Sequence, residues 1–245
     1  GNITVIGDRK AGKTSILRAL SEQGRKVRIE GGQSFAANLY NPSTKEIAGT
    51  DDVRPYTRTF TIDLPDNREA EITLEWVDTP GEIWEDIDAY STMAPAGFQS
   101  LLTQVGQSDA VILLLPPHQG LITASELASL PQHLRPTEKI KSPQQWRESL
   151  KFWTDFLLRT ELRSVKHFVL AIHKADLFCP SRNIEKMINL FDNKAYIDLR
   201  HICYAYFKAA SPILEAFNMT DTGSKVEYFI TTTENINLLE LPFLY

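Results

Sequence analysis

The sequence has 245 residues, of which 42% are hydrophobic and 23% are charged, and its formal net charge is −5. This length is typical of one or two domains, and the composition excludes collagen-like, low-complexity and globally disordered chains. Because 31 acidic residues outnumber 26 basic ones, we expect no direct binding to nucleic acid.

The cysteines and the apolar runs bear on the compartment. Cys179 and Cys203 are the two cysteines, too few for a disulfide framework, and they favour a reducing environment. The longest apolar run, 110–115, is far too short to cross a bilayer. No signal peptide precedes the first predicted strand, and the chain opens with Gly1 rather than methionine. We therefore expect a cytoplasmic domain with no transmembrane segment, excised from a longer polypeptide.

Hydrophobic patterning predicts strands that alternate with helices. Two stretches lack that patterning: 31–55, predicted to be a long mobile loop, and 116–143, which holds five prolines and is predicted to be irregular. The predicted strands cover 2–6, 58–64, 69–77, 110–115, 167–172 and 226–230, and the predicted helices cover 13–20, 96–105, 143–162, 184–191 and 196–217.

This alternation predicts the fold class. It favours an α/β fold with a doubly wound, mostly parallel sheet of about six strands, one antiparallel hairpin, and helices on both faces. Ligands of such sheets bind beyond the carboxyl ends of the strands. Functional residues are therefore expected just after positions 6, 77, 172 and 230.

A glycine-rich segment follows the first predicted strand and matches the pattern G-x-x-x-x-G-K-[ST]. Backbone N–H groups of such a loop turn inward on phosphate oxygens, and the following helix N-terminus adds partial positive charge. Lys13 is expected to reach the outer phosphates, and the Thr14 hydroxyl to bind Mg²⁺. The predicted phosphate-binding residues are Gly7, Asp8, Arg9, Lys10, Ala11, Gly12, Lys13, Thr14 and Ser15.

A second motif, Asp-Thr-Pro-Gly at 78–81, ends the strand predicted at 69–77. Asp78 is placed to hold Mg²⁺ through water, as the acidic residue of nucleotide-hydrolysing enzymes does. Gly81 is placed to offer its N–H to a terminal phosphate, which would make the next segment sensitive to that phosphate. Ordinary turn chemistry is the alternative interpretation of the same four residues.

The sequence His173-Lys174-Ala175-Asp176 follows the strand predicted at 167–172. Together with the phosphate loop and residues 78–81, it resembles the P-loop GTPases of the translation-factor and Ras-like class, with features of bacterial small GTPases. The resemblance implies that Asp176 accepts the guanine N1–H and 2-amino hydrogens while the Lys174 stem covers the base. His173 departs from the asparagine of that class, and a surface charge pair is the alternative for Lys174 and Asp176.

Two softer matches complete the resemblance. Thr57, which precedes an arginine as in several bacterial members, is implied as a second Mg²⁺ ligand, with Thr50 and Thr59 as rivals. A threonine without a metal role is an equal alternative, since threonine favours strands. Thr232 follows the last strand, where the family has a short loop that touches the base, although this match is degenerate.

The catalytic residues implied by the resemblance are Lys13, Thr57, Glu82 and Lys10. Glu82 stands where the family positions the attacking water with glutamine or histidine, and a carboxylate donates nothing unless protonated. Lys10 stands where potassium-dependent members have asparagine, so its ammonium is expected to replace the cation during phosphoryl transfer. Exposure of Lys10 to solvent without any role is the alternative.

The resulting hypothesis is one P-loop GTPase-like domain over 1–245, with insertions near 25–56, 117–145 and 180–225. It would bind GTP or GDP with Mg²⁺ as a switch and hydrolyse GTP slowly. The alternative is a nucleotide-binding scaffold with little hydrolysis, favoured by the insertions and by the apolar tail at 235–245. The family's final helix is not evident in that tail, so a protein partner or neighbouring domain is expected to cover it.

Overall fold

The computed structural model describes residues 2–8, 11–38, 54–64, 67–78, 92, 95–130, 132, 140–159, 162, 164–192, 196–220 and 225–244. For 38, 54–56, 75–78, 191–192, 196–197 and 225, only the backbone is described. Within these ranges, no helix is both long enough and apolar enough to cross a membrane.

The described chain alternates strands with helices, as the patterning predicts. The strands are β1 (Asn2–Gly7), β2 (Val27–Ile29), β3 (Arg54–Asp63), β4 (Glu69–Asp78), β5 (Ala110–Leu115), β6 (His167–Ile172) and β7 (Lys225–Ile230). The helices are α1 (Lys13–Gln23), α2 (Gly32–Asn38), α3 (Pro95–Gly106), α4 (Ala124–Ser129), α5 (Pro143–Leu157), α6 (Ser181–Asp192), α7 (Tyr196–Ala205), α8 (Ser211–Asn218) and α9 (Ile236–Leu244).

The strands form one mixed sheet in the order β2-β3-β4-β1-β5-β6-β7. The pairs from β4 through β7 are parallel, whereas β2, β3 and β4 pair antiparallel. The predicted α/β class and its antiparallel hairpin are confirmed. The sheet has seven strands rather than about six, because β2 is added at the edge.

The core lies where the apolar runs predict it. Strands β5 and β6 are each buried along five of their six residues, as expected for strands covered on both faces. Helix α5 buries Trp146 and Trp153 completely, so its regularly spaced aromatic residues are core residues. Cys179 and Cys203 are free and buried, and burial raises the pKa of the Cys203 thiol to about 12.

The predicted loop at 31–55 is wrong in its first part. Residues 32–38 form α2, which buries Phe35 and holds its ring 4.3 Å below the Arg58 guanidinium. Strand β2 lies just before it and pairs with β3, while β3 already begins at Arg54. The rest of the predicted loop, 39–53, lies outside the described residues.

Two predicted helices differ most from the structure. Helix α5 begins at Pro143 as predicted but ends at Leu157 rather than 162. The predicted helix at 196–217 is interrupted between α7 and α8. Pro212 lies in the first turn of α8, where its missing N–H costs no helical bond, so the chain starts a new helix there. The excursion at 116–143 contains the short helix α4, begun by a reciprocal pair of bonds between Thr123 and Glu126.

The prediction that a partner covers an apolar tail at 235–245 is wrong. The tail forms the final helix α9, whose buried residues include Leu239 and Leu241, and it packs against α1, α6, β2 and β7. The Glu240 carboxylate in α9 is itself buried and accepts backbone N–H groups from Arg25, Lys26 and Val27 at 2.5, 2.7 and 3.0 Å. The chain therefore covers its own tail.

Candidate nucleotide-binding site

The sheet register brings four of the predicted segments to one edge. Val5 of β1 lies beside Trp76 of β4, two residues before Gly7 and Asp78 respectively. Farther along the sheet, Leu115 pairs with Ile172, and Ile172 with Ile230. Because these strands are parallel, the segments that follow them all leave the sheet at its carboxyl edge.

The phosphate loop approaches the sheet closely at its first glycine. A Cβ atom built on Gly7 would lie 2.2 Å from the Leu114 carbonyl oxygen, so no other residue fits there without a shift. The loop then turns so that the Ala11 N–H donates to the Asp8 carbonyl at 3.1 Å. Gly12 has a φ of 97°, a conformation that favours glycine.

Lys13 begins α1 and is nearly fully buried beneath the loop. Its ammonium donates to the carbonyl oxygens of Gly7 at 2.8 Å and Asp8 at 3.1 Å. These bonds hold the charge beside the loop that the sequence assigns to phosphate. Thr14 and Ser15 follow in the first turn and are half-buried. Arg9 and Lys10 lie outside the described residues.

The Asp8 carboxylate is bonded to side chains of α5 and of the segment just before that helix. It is buried, with 6% exposure, and accepts hydrogen bonds from Trp153 at 2.6 Å, Ser149 at 2.8 Å and Lys141 at 2.8 Å. If Asp8 contacts a nucleotide, it therefore does so through its backbone atoms. Sequence reasoning missed these three partners, because nothing in the patterning of α5 indicates which helix position meets the loop.

The segment after β6 presents an exposed carboxylate. Lys174 adopts a left-handed conformation with a φ of 64°, and a short turn of 3₁₀ helix at Ala175–Leu177 follows. The Asp176 carboxylate is exposed and accepts a hydrogen bond from the Thr232 hydroxyl. Thr232 is buried, and its own oxygen accepts the Glu234 N–H at 3.1 Å. Residues after β6 and β7 thus fix the carboxylate while leaving it accessible.

His173 joins this segment to the phosphate loop. A Cβ atom built on Gly12 would lie 2.3 Å from Cδ2 and 2.7 Å from Nε2 of the imidazole, so the ring packs directly on the loop backbone. The His173 N–H donates to the Leu115 carbonyl at 2.9 Å. Burial, together with the charge of Lys174, lowers the pKa of His173 to about 3, so the ring is neutral at physiological pH.

The structure describes Thr14 and the backbone of Asp78, two of the predicted magnesium ligands. The Thr14 residue lies in the first turn of α1, and the Asp78 backbone ends β4 beside β1, on the side of the sheet edge where the phosphate loop leaves. A hydroxyl and a carboxylate are oxygen donors of the kind Mg²⁺ takes alongside phosphate and water. Gly81 and Glu82 lie outside the described residues, as does the Asp78 side chain. Among the residues with described side chains, no cluster of three His, Cys, Asp or Glu residues could hold a metal.

The register disfavours Thr57 as a magnesium ligand. Thr57 is exposed within β3 and pairs with Glu75, which itself lies beside Thr4 of β1. At the usual rise of a strand, three residues place that row about 10 Å from the row of Asp78 and Gly7. Thr59 lies farther along the same strand, and Thr50 is outside the described residues.

Comparisons with known proteins gave matches to solved structures alone. No protein-family model matches the sequence, and no curated protein matches it significantly. The translation elongation factor SelB from Methanococcus maripaludis, in complex with the GTP analogue GppNHp, is similar with 11% identity and a TM-score of 0.39 over 99% of this chain. The Ski7 GTPase-like domain from S. cerevisiae is similar with 19% identity and a TM-score of 0.39 over 98% when bound to GDP and inorganic phosphate. The GTP-bound structure of the same domain is similar with 18% identity and a TM-score of 0.42 over 96% of this chain.

The chain spans 32% of the SelB chain and 43% to 45% of the Ski7 chains. Identities and TM-scores this low describe a distant likeness of fold. A ligand for this chain therefore has to be argued from its own residues.

Proposed function

We propose that this chain is a single guanine-nucleotide-binding switch domain that binds GTP and GDP with Mg²⁺ and hydrolyses GTP slowly. One observation carries the proposal: the exposed Asp176 carboxylate, fixed by Thr232, leaves the same sheet edge as the phosphate loop. His173, three residues before Asp176, packs on Gly12 of that loop. A base-binding segment and a phosphate-binding segment are thereby held together.

The chemistry of Asp176 favours guanine. A carboxylate only accepts hydrogen bonds, and guanine offers two donors side by side at N1 and the 2-amino group. Adenine offers an acceptor at N1, which would leave the carboxylate facing a lone pair, and such a polar mismatch discriminates strongly. The Thr232 hydroxyl donates to one oxygen of Asp176, which restricts how the carboxylate can turn.

The phosphates would lie on the loop from Gly7 to Thr14. Lys13 supplies a buried positive charge there, and the N-terminus of α1 points its N–H groups the same way. Thr14 and Asp78 are the residues that would hold Mg²⁺. When bound, the ion would neutralise the charge that develops on the phosphate oxygens.

We propose slow hydrolysis because the residue at position 82 is a glutamate. A glutamate there accepts a hydrogen bond from water, but its negative charge opposes the phosphates. Lys13 is a positive group bonded to the loop backbone, and Lys10 is proposed to add another. Efficient turnover would then depend on an activating group from a partner.

Titration of the purified chain with GTP, GDP, ATP and XTP, in the presence of Mg²⁺, tests the proposal. We expect GTP and GDP to bind at least 100-fold more tightly than ATP or XTP, which corresponds to about 2.7 kcal/mol. Equal affinity for GTP and ATP would contradict guanine recognition by Asp176. No binding of any nucleotide would contradict the whole proposal.

The alternative, a scaffold that binds nucleotide without hydrolysing it, keeps one structural argument. Its support from an uncovered tail is lost because α9 is buried, but the excursion between β5 and α5 is long enough to serve as an assembly surface. A single-turnover assay with GTP separates the two. Slow conversion to GDP that stops in a Lys13→Ala variant supports the switch, whereas unchanged GTP after hours supports the scaffold.

A further inference from the structure

The phosphate loop is attached to a part of the chain that contains none of the nucleotide motifs. Asp8 is the second residue of the loop, and its buried carboxylate has three donors around it. Trp153 and Ser149 lie four residues apart on α5, and therefore on one face of the helix. Lys141 precedes the helix and also donates to the Ser149 hydroxyl at 3.1 Å.

Lys141 is fixed at the point where the excursion after β5 returns to the domain. Its backbone carbonyl accepts the Gln119 N–H at 3.0 Å, and the Gln119 side chain donates to the Ile140 carbonyl at 2.9 Å. The Trp146 indole closes the other side by donating to the Pro116 carbonyl at 2.8 Å. Hydrogen bonds therefore join the two ends of the excursion to each other, to α5 and to Asp8.

Asp8 in turn supports the phosphate-binding lysine. Its backbone carbonyl accepts the Lys13 ammonium and the Ala11 N–H, both at 3.1 Å. A displacement of Asp8 would therefore move an anchor of Lys13 and a turn of the loop together.

The charge of Asp8 makes its partners more important. A carboxylate buried beside a polyphosphate repels that ligand, and burial makes such repulsion stronger than it would be in water. Lys141, at 2.8 Å, is the cation that balances the carboxylate, and its side chain is partly exposed, at 39%. The position of Lys141 thus bears on both the shape and the charge of the loop.

We propose that Lys141, Ser149 and Trp153 are positioning residues that set nucleotide affinity through Asp8. They couple the phosphate loop to the base of the excursion at 116–142. None of them touches the nucleotide, and the coupling rests on the proposed function above. By linkage, bound nucleotide favours the bonded position of Lys141, and displacement of Lys141 weakens nucleotide binding.

The test measures dissociation of a fluorescently labelled GDP from the whole chain. Lys141→Met and Trp153→Phe each remove one donor to Asp8 while keeping most of the side-chain volume. We expect each to release GDP at least tenfold faster than the unmodified chain. Lys151→Met is the matched control, because Lys151 lies on the same helix but pairs with the exposed Asp155 at 2.5 Å. Its rate should stay within twofold of the unmodified chain.

A double-variant cycle separates coupling through Asp8 from general destabilisation. In an Asp8→Asn background the carboxylate charge is gone, so Lys141→Met should lose most of its effect. Additive effects of the two changes would overturn the proposal. Release at the unmodified rate in both Lys141→Met and Trp153→Phe would overturn it as well. If Trp153→Phe fails to fold, Ser149→Ala removes a second donor at a less buried position.

Hydrogen exchange of the nucleotide-free chain tests the same coupling without any nucleotide. Lys141→Met should raise the exchange of backbone amides in 7–13 at least fivefold, whereas Lys151→Met should not. Unchanged exchange would overturn the positioning role. If the unmodified chain binds no guanine nucleotide but the exchange result holds, the coupling stands and the proposed function fails.

Discussion

The His173 imidazole lies against Gly12 so closely that a single added carbon on Gly12 would come within 2.3 Å of the ring. The family that this sequence resembles has an asparagine at that position. Here a buried ring joins β6 to the phosphate loop by packing, and within the described residues its Nδ1 atom has no hydrogen-bond partner. A proton on Nδ1 would have no acceptor among the described residues, which favours the uncharged imidazole.

The neutral state of His173 predicts a loss of stability at mildly acidic pH. Burial and the Lys174 charge lower its pKa to about 3 in the folded chain, against about 6.5 in an unfolded chain. The unfolded state alone takes up the proton between these values, so the stability is complete above pH 6.5 and falls as the pH drops toward 3. Between pH 7 and 5 the loss is about 2 kcal/mol. Urea unfolding followed at pH 7 and pH 5 measures it.

His173→Asn supplies the control for that measurement. The asparagine does not titrate, so this variant should lose about 2 kcal/mol less than the unmodified chain over the same pH step. His118 is also buried, and burial lowers its pKa in the same direction, so a smaller dependence should persist in the variant. Identical losses in both proteins would show that His173 is not buried and neutral.

Glu240 is predicted to hold α9 onto the domain. Glu240→Ala leaves the N–H groups of Arg25, Lys26 and Val27 without their acceptor, and we expect a loss of about 2–4 kcal/mol in the free energy of unfolding. Glu240→Gln keeps an acceptor oxygen in nearly the same volume and should cost less than half as much. Urea denaturation of the two variants provides the comparison. Equal losses would mean that packing rather than acceptance of these hydrogen bonds decides the stability.

We predict that Mg²⁺ binding depends on Thr14 and Asp78. Thr14→Ala or Asp78→Ala should weaken GTP binding about tenfold in Mg²⁺, because each removes an oxygen donor from the ion. With excess chelator, the variants and the unmodified chain should bind GTP alike. Ser34→Ala, which removes an exposed hydroxyl of α2, is the control. Unchanged affinity of both variants in Mg²⁺ would place the metal elsewhere.

Lys10 is predicted to make GTP hydrolysis indifferent to potassium. If its ammonium supplies the positive charge in cis, exchange of potassium for sodium should leave the single-turnover rate unchanged. Lys10→Asn should slow the reaction or make it dependent on potassium. A rate that rises several-fold with potassium in the unmodified chain would refute this role, as would a normal rate in Lys10→Ala.

The sequence predicts the parts of this fold that depend on local patterns. The phosphate loop, the buried strands β5 and β6, and the start of α5 at Pro143 all follow from residues close together in the chain. Strand β2 has only three residues, too few for alternation to register. Helix α9 is apolar on nearly every side, so it lacks the one-sided period by which an amphipathic helix is identified.

The contacts that organise the candidate site are distant in sequence. Trp153 meets Asp8 across 145 positions, and Glu240 meets the N–H groups of residues 25–27 across more than 210. A tryptophan on an amphipathic helix predicts burial, as found, but not the carboxylate that accepts its N–H. Composition and periodicity carry no information on such pairs, which can be identified only once the order of the strands in the sheet is known.

Guanine recognition by Asp176 is tested most directly by the base preference of Asp176→Asn. The amide can donate where the carboxylate only accepts, so it matches the carbonyl that xanthine carries in place of the 2-amino group. Competition between GTP and XTP for the unmodified chain and the variant measures the preference. We predict that the unmodified chain prefers GTP and that the variant prefers XTP, a reversal of at least 100-fold in the affinity ratio, or about 2.7 kcal/mol. An unchanged affinity for GTP in a folded Asp176→Asn variant would contradict it.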